Sequence, residues 1–518
     1  MRTLKFCGIF MYARLKRIAP VFPLTTAVMI CTLSCGKTAI AEETFDPFST
    51  ETKLTHKPSL AHSLEDPCAN ARADHPLDLF GVVNTVLCNN PQTREVWANS
   101  RAQAAQVGVN QASYLPSLTA TLSENSSSPG NNQRSLGLTL SYLLYDFGAR
   151  AANLENARQT LAALNATQDS TVQSLFLAAV QAYYQTRSTQ AAFEAATASE
   201  LAAKESFAAA NARYLAGSAT PADKLTAQTA YSQATLNRIT AAGAMRIAQG
   251  TLANLLGLDA NIGIVLIAAQ AVSDSERPTA APKQQANLQN PLPGKKPQQD
   301  EPPAENERMD ILEQSIVALI EQARQNRPDL LAAEAQLNAA KAAADAARAA
   351  GRPTIAMTTS SSQNNTAGFS SRGTTFGVNL NVPLFTGFAP TYRIRAAEAQ
   401  IETRKAQLER IRLQVALDVW TAYQNLVTAT QNRRTTINLL NSAEQSERVA
   451  RGRYKAGAGI MLDLLNAQTT LANARQQRIQ AELNWNIGRA TLAQAMGMLD
   501  AELLQKLPDT NAKTPSHE

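Results

Sequence analysis

RYLAGSATPADKLTAQ, residues Arg213–Gln228, returns as RYKAGAGIMLDLLNAQ, residues Arg453–Gln468. Arg, Tyr, Ala, Gly, Asp, Leu, Ala and Gln recur in the same order, each 240 positions further on. The same shift carries Leu144-Tyr145 to Leu384-Phe385 and Leu256-Gly257-Leu258 to Met496-Gly497-Met498. Upstream the shift is 237, taking Pro91 to Pro328 and Pro116 to Pro353. One three-residue length difference therefore separates the copies, and it falls in a Ser/Asn-rich loop. A self-similar unit of roughly 180 residues is an internal duplication, and it governs how the rest of the chain is read.

Each quoted stretch is a turn between two helices. Ahead of the first, Ala149 to Ala216 runs 68 residues without Gly or Pro, and Thr391 to Arg451 lacks both as well. Such a helix spans about 100 Å at ~1.5 Å per residue. Ile394, Ile401, Leu408, Val415 and Ala422 fall on a seven-residue repeat, and Leu154, Leu161, Gln168, Leu175 and Ala182 hold the equivalent places. That spacing predicts helices that wrap around partners, and the abundant Ala allows close approach.

Ahead of the long helices the period changes to two. Leu136, Leu138, Leu140 and Tyr142 alternate with Gly137, Thr139 and Ser141; Phe376, Val378, Leu380 and Val382 alternate with Gly377, Asn379 and Asn381. Leu118, Ala120 and Leu122 indicate a partner strand in the first repeat, as do Ile355 and Met357 in the second. Strands of about ten residues, apolar on one face and small or polar on the other, suit a transmembrane β-barrel, although any half-buried hairpin shares the pattern. Before them, residues 77–88 read as a helix, Asn89-Asn90-Pro91 as a break, and the stretch to Ser113 as a second helix.

The flanks have their own logic. Arg2, Lys5, Arg14, Lys16 and Arg17 precede an apolar stretch, Ile18 to Cys35, and Ala39-Ile40-Ala41 fits a cleavage site. Lipid attachment at Cys35 competes with cleavage, but Thr32-Leu33-Ser34 matches a lipobox poorly. Removing the six basic residues of 1–41 leaves 42 basic against 42 acidic, so the +6 charge belongs to the export signal and gives no reason to expect nucleic acid. Two cysteines remain, Cys68 and Cys88; an even pair in an exported protein fits a disulfide, with two free thiols as the other reading. His56, His62, His75 and His517 all lie outside the repeats, and no phosphate-binding Gly loop or nucleophile motif is present. The sequence thus points to no enzyme, cofactor or metal.

The chain divides into a signal peptide (1–41), a poorly ordered segment (42–76), repeat one (77–260), a Pro-rich linker (261–310), repeat two (311–503) and a polar tail (504–518). Four strands cannot close a membrane barrel, whose smallest members have about eight. Strands in lipid would have to be shared between chains.

Helix, Pro, strand–loop–strand, very long helix, RYxAG turn, helix and LxGL, all duplicated, resemble the TolC family of outer-membrane efflux and secretion factors. The resemblance spans Leu77 to Leu503 apart from the linker. It rests on Asn90-Pro91 with Pro116, on Leu144-Tyr145-Asp146, on Pro383-Leu384-Phe385, and on the turns Arg213-Tyr214-x-x-Gly217 and Arg453-Tyr454-x-x-Gly457. LCNNPQTREVW, residues Leu87–Trp97, is similar to the branch typified by the cyclolysin secretion protein CyaE. Departures are the Pro-rich insert, the pair Cys68/Cys88, and Thr386 where the first repeat has Asp146.

The resemblance implies an α+β membrane protein. It would be a homotrimer with a twelve-stranded β-barrel in outer-membrane lipid and an α-helical coiled-coil tunnel in the periplasm. A periplasmic adaptor (membrane fusion) protein and an inner-membrane ABC or RND-type pump would dock on the tunnel to drive type I protein secretion or small-molecule efflux. It further implies a gate at the RYxAG turns, with Asp223 accepting a hydrogen bond from the Tyr454 hydroxyl and Asp463 as an aperture carboxylate. Gly459 stands where some members carry a latch arginine, and Asn466 where they carry a second aspartate. The residues alone also allow Asp223 and Asp463 to be helix caps. The competing reading of the whole chain is a periplasmic coiled-coil adaptor or structural protein without a barrel.

Overall fold

The structure is a computed structural model that describes residues 46–54, 68, 76–127, 131–267, 305–366 and 369–499. The signal peptide with Cys35, the central part of the linker and the C-terminal tail lie outside the described residues. Residues 1–49 form one unit, of which Asp46–Ser49 is a turn; every element below belongs to the second unit, 50–518.

Repeat one contains α1 (Leu79–Asn89), α2 (Pro91–Ala112), β1 (Ser117–Ser127), β2 (Asn131–Tyr145), α3 (Ala149–Leu215) and α4 (Pro221–Leu255). Repeat two contains α5 (Glu305–Asn326), α6 (Pro328–Ala349), β3 (Thr354–Thr366), β4 (Phe369–Asn381), α7 (Ala389–Lys455) and α8 (Met461–Ala495). No helix among the described residues is long and apolar enough to cross a membrane.

The break before each Pro is an elbow. Proline removes a backbone donor and forces the preceding residue out of helical geometry. Asn90 and Arg327 accordingly take extended backbone. Asn90 caps α2 through Gln92 N at 2.9 Å and donates to the Leu255 carbonyl at 3.1 Å. Arg327 instead pairs with Asp329 at 2.6 Å and Asp418 at 2.8 Å. Burial opposes its charge, but these two carboxylates more than offset burial and hold its pKa above the usual value. The LxGL glycines close the elbows from the other side. Gly257 and Gly497 have φ of +77° and +71°, and a Cβ there would lie 3.1 Å from the Asn89 carbonyl and 2.9 Å from the Asn326 carbonyl. Positive φ and close backbone approach both call for glycine.

The long helices α3 and α7 have 67 residues each, and α4 and α8 return beside them with 35 each. Seven of the ten heptad positions are buried, Leu154, Leu161, Gln168, Leu175, Leu408, Val415 and Ala422, while Ala182, Ile394 and Ile401 are half-buried. The largest apolar cluster gathers α1, α3, α4 and α8 around Val82, Val86, Phe176, Val180, Tyr183, Leu252 and Leu483. Because α3 packs on α6 and α8 as well as on α2 and α4, the two repeats are interlocked.

One four-stranded antiparallel sheet runs β1-β2-β3-β4, so the hairpins of the two repeats join through β2 and β3. Cross-strand partners share a face. The registers Ala120↔Leu138, Leu138↔Ser361, Leu140↔Thr359 and Thr359↔Phe376 therefore carry one face across the sheet, apolar on β1, β2 and β4 and interrupted on β3 by Thr359 and Ser361. Leu118, Leu122, Leu136, Leu138, Phe376, Val378 and Leu380 are exposed on it. The other face holds Thr121, Gly137, Thr358 and Asn379, with Asn379 Nδ2 donating to Thr358 Oγ1 at 3.1 Å. Strands β1 and β4 leave two open edges in the single chain.

Two expected boundaries move. The inter-repeat segment is structured at both ends. Leu77 and Leu266 form a parallel bridge, Ile264 enters the core, and α5 starts at Glu305. These apolar side chains dock before the Pro-rich run begins. Part of the N-terminal segment is also placed. Leu54 packs against Ala104, Val107 and Leu154, Glu51 pairs with Arg101 at 2.9 Å, and Asn165 donates to the Lys53 carbonyl at 3.1 Å. Cys68 and Cys88 are disulfide-bonded, with Cα atoms 5.5 Å apart, so the segment is tied to the end of α1.

Candidate gate where the coil ends meet

Both RYxAG turns form by the same backbone device. Gly217 and Gly457 adopt φ of +70° and +75°, and Ser218 N and Ala458 N reach back to the Arg213 and Arg453 carbonyls at 2.9 Å. A left-handed glycine after the last helical turn closes orphan carbonyls in this way. The helices that follow then start differently. Thr220 caps α4, accepting from Asp223 N at 3.2 Å, while the Asp223 carboxylate takes Thr220 N at 3.2 Å and the Thr220 hydroxyl at 2.8 Å. This is a reciprocal capping box. In α8 the cap position is Ile460, whose side chain has no hydrogen-bond acceptor to offer. Asp463, at the position equivalent to Asp223, is exposed, and its carboxylate makes no hydrogen bond among the described residues. Asn466 is exposed one turn further on.

The expected bond from the Tyr454 hydroxyl to Asp223 is replaced by another contact. Asp223 stands three positions after Thr220, the spacing at which a carboxylate reaches its own cap, and the cap holds it. Tyr454 is met by Arg213. The Arg213 guanidinium donates to the Tyr454 carbonyl at 2.7 Å and lies 4.2 Å from the centre of its ring. Tyr454 is 6% exposed and packs with Ala210, Ala227, Met461, Leu464 and Leu465. Arg213 thus crosses from the first coil to the second. Their sequence equivalents diverge: Tyr214 is exposed beneath Lys224, 5.1 Å from its ring, and Arg453 is exposed. Gly459, the latch-arginine position, folds back so that a Cβ would lie 3.1 Å from Arg453 Cβ and 3.2 Å from Tyr454 N, leaving little room for a larger residue.

Above the turns, Gln468 Nε2 donates to Ser206 Oγ at 3.0 Å across the coils. A groove of about 950 Å³ then opens between α3, α4, α7 and α8. Its first wall is Ala-rich, including Ala195, Ala202 and Ala234; its second carries Glu447, buried and paired with Arg451 at 2.6 Å. No group of metal-ligating residues occurs among the described residues. The Arg213–Tyr454 clasp escaped sequence reasoning because both residues occur in both turns, and nothing local shows which Arg meets which Tyr.

Comparison with known proteins agrees with the architecture. The family described as Outer membrane efflux protein matches residues 82–258 and 319–498, one block per repeat. Protein CyaE of Bordetella pertussis is 29% identical over 419 residues, covering 78% of this chain and 80% of its own. The probable efflux pump outer membrane protein TtgC of Pseudomonas putida is 26% identical over 448 residues, covering 82% and 83%. The open-state crystal structure of the Neisseria gonorrhoeae MtrE outer membrane channel superposes with a TM-score of 0.64 at 22% identity, covering 82% of this chain and 89% of that one. The duplicated helices, the sheet and both family blocks coincide, so the chain belongs to the outer membrane efflux protein family and is an outer-membrane channel with a periplasmic extension, acting in tripartite efflux or secretion.

Proposed function

We propose that three copies of this chain close a twelve-stranded barrel and continue it as a helical tunnel that forms a passive duct. The observation that carries this reading is the sheet: four strands, one face that carries the exposed apolar side chains of β1, β2 and β4, and two open edges. Unpaired edges are not tolerated in lipid, and four strands are too few to close. Edge β4 of one copy beside β1 of the next preserves the antiparallel order and buries both edges. A periplasmic adaptor without a barrel would have no use for this face. The test is an unboiled detergent gel of outer membranes; a trimer-sized band supports the duct, and a monomer in the periplasmic fraction refutes it.

At the far end of the tunnel the two turns of each copy form the constriction. Asp463, free of any cap, faces the aperture, and threefold repetition gathers three carboxylates that favour cations. Arg213 on Tyr454 holds the two coils of one copy together. Asn466 leaves the ring with one carboxylate per copy. An adaptor and an ABC or RND-type pump dock on the tunnel and supply the energy. Protein cargo is the favoured reading, because Leu87–Trp97 resembles the CyaE branch; comparing the secretome with drug susceptibility after gene deletion decides between protein and small molecules.

A further inference from the structure

Glu124, Arg134 and Arg372 are the only charged residues in the four strands. The registers put all three on one face of the sheet. Glu124 pairs with Arg134, Leu136 with Gln363, and Gln363 with Arg372. Arg134 stands two residues before Leu136, so the three charges share the face of Leu122, Leu136 and Leu138. The opposite face, with Thr121, Gly137, Ser360 and Asn379, carries none. All three also lie at one end. On β1 and β2 the apolar side chains stop at Leu122 and Leu136, and Glu124 and Arg134 follow toward the hairpin. On β4 they stop at Phe376, and Thr374 and Arg372 follow.

Glu124 and Arg134 form an ion pair at 2.9 Å with both side chains largely exposed. A pair this open adds little to stability. Two guanidiniums against one carboxylate leave the patch net positive. Strand β3 supplies uncharged polar groups between the arginines. Asn365 stands opposite Arg134 and Gln363 opposite Arg372, and both amides are exposed. One step nearer the apolar residues, the Thr374 hydroxyl donates to Ser361 Oγ at 3.4 Å. Two strand spacings and two residues separate the arginine backbones, about 12 Å, a gap that two long side chains leaning over β3 can close.

In the barrel the hairpin end points away from the periplasmic helices and so lies at the outer leaflet. We propose that Arg134 and Arg372, with Gln363 and Asn365 between them, hold the phosphates and sugar hydroxyls of a phosphorylated glycolipid of that leaflet. Guanidinium forks match phosphate oxygens, and side-chain amides match a polyhydroxylated headgroup. A phospholipid with a small headgroup would engage the arginines and leave the β3 amides unused. The placement suits a lipid, because acyl chains lying against Leu122, Leu136 and Phe376 bring their headgroups to the charges just beyond. The inference rests on the barrel reading above.

The test measures lipid bound to the detergent-purified trimer by native mass spectrometry. The probes are an acylated glucosamine disaccharide with two phosphate monoesters, the same lipid dephosphorylated, and phosphatidylglycerol. The parent should bind the first in preference to both others. An Arg134→Gln/Arg372→Gln pair should bind it about thirtyfold more weakly, and each single variant about fivefold. Trimer yield and conductance should stay as in the parent, since neither residue faces the lumen. Equal binding by parent and double variant overturns the site. Equal binding of phosphatidylglycerol and the phosphorylated disaccharide by the parent also overturns it, leaving an unselective basic rim. If the double variant does not assemble, unchanged binding in both single variants is the overturning result. A parent that yields no trimer overturns the barrel reading instead.

Discussion

The two coil ends began as one sequence and now do different work. The first turn is self-contained: Thr220 and Asp223 satisfy each other, and its tyrosine, Tyr214, faces outward. The second has lost its cap to Ile460, which frees Asp463, and its Tyr454 is buried under an arginine from the first turn. One end stabilises itself while the other depends on its neighbour and presents a charge. The elbows repeat the lesson. Repeat one uses neutral Asn90 and the Cys68–Cys88 bond, whereas repeat two uses the Arg327 ion pairs. Duplication preserved the backbone, held by glycine and proline, and let the side-chain fastenings diverge.

The largest effect is expected where the repeats remain alike. Leu138→Arg and Val378→Arg should each cost about 2–4 kcal/mol near the membrane midplane, and Thr139→Arg or Asn379→Arg far less. Trimer yield in outer membranes is the readout, and equal yields from both faces would show that the repeats do not share the assigned register. The disulfide should matter to repeat one alone. Cys68→Ser should destabilise by about 3 kcal/mol, the scale for a closed loop of this size, seen as a lower melting temperature that reductant reproduces in the parent. Labelling of two thiols in the oxidised mature protein would contradict it.

The coil ends can be separated by their arginines. Arg213→Ala should remove an interaction of roughly 1.5–3 kcal/mol, a charge-assisted bond plus ring contact, and raise the open fraction in planar bilayers. Arg453→Ala, at the equivalent place, should leave it unchanged; similar behaviour of the two would remove the asymmetry. Ile460→Thr should rebuild the lost cap, stabilise α8 by up to ~1 kcal/mol and draw Asp463 into it, weakening cation preference. Selectivity that stays constant in this variant while falling in Asp463→Ala would show that the two groups never engage.

The smallest effect concerns Asp169, whose counterpart in repeat two is the exposed Glu409. Burial raises the Asp169 pKa, so the folded state holds its proton more tightly than the unfolded chain and loses stability as pH rises through the unfolded value. Asp169→Asn should therefore melt slightly higher at neutral pH, with the gain vanishing in acid; a gain independent of pH would point to another cause. The group is only partly buried, so solvent screening keeps the shift small.

Sequence alone determined the features set by period and by special backbone residues. The duplication, the elbows at Pro91 and Pro328, the glycine turns and the heptad positions from Leu154 to Leu175 are local, because a φ > 0 glycine or a missing N–H acts wherever it stands. The alternating faces of β2 and β4 were equally legible, since side chains alternate with period two. Tertiary structure decided which pieces meet. Pairing of β2 with β3, its register shift between Leu143 and Tyr145, docking of Leu54 and Leu266, and the choice of Arg213 over Arg453 as partner of Tyr454 all join residues far apart in the chain. Two repeats with the same order of elements and the same turn residues offer each contact at least two local solutions. Only the packing of one coil against the other makes one of them lower in free energy.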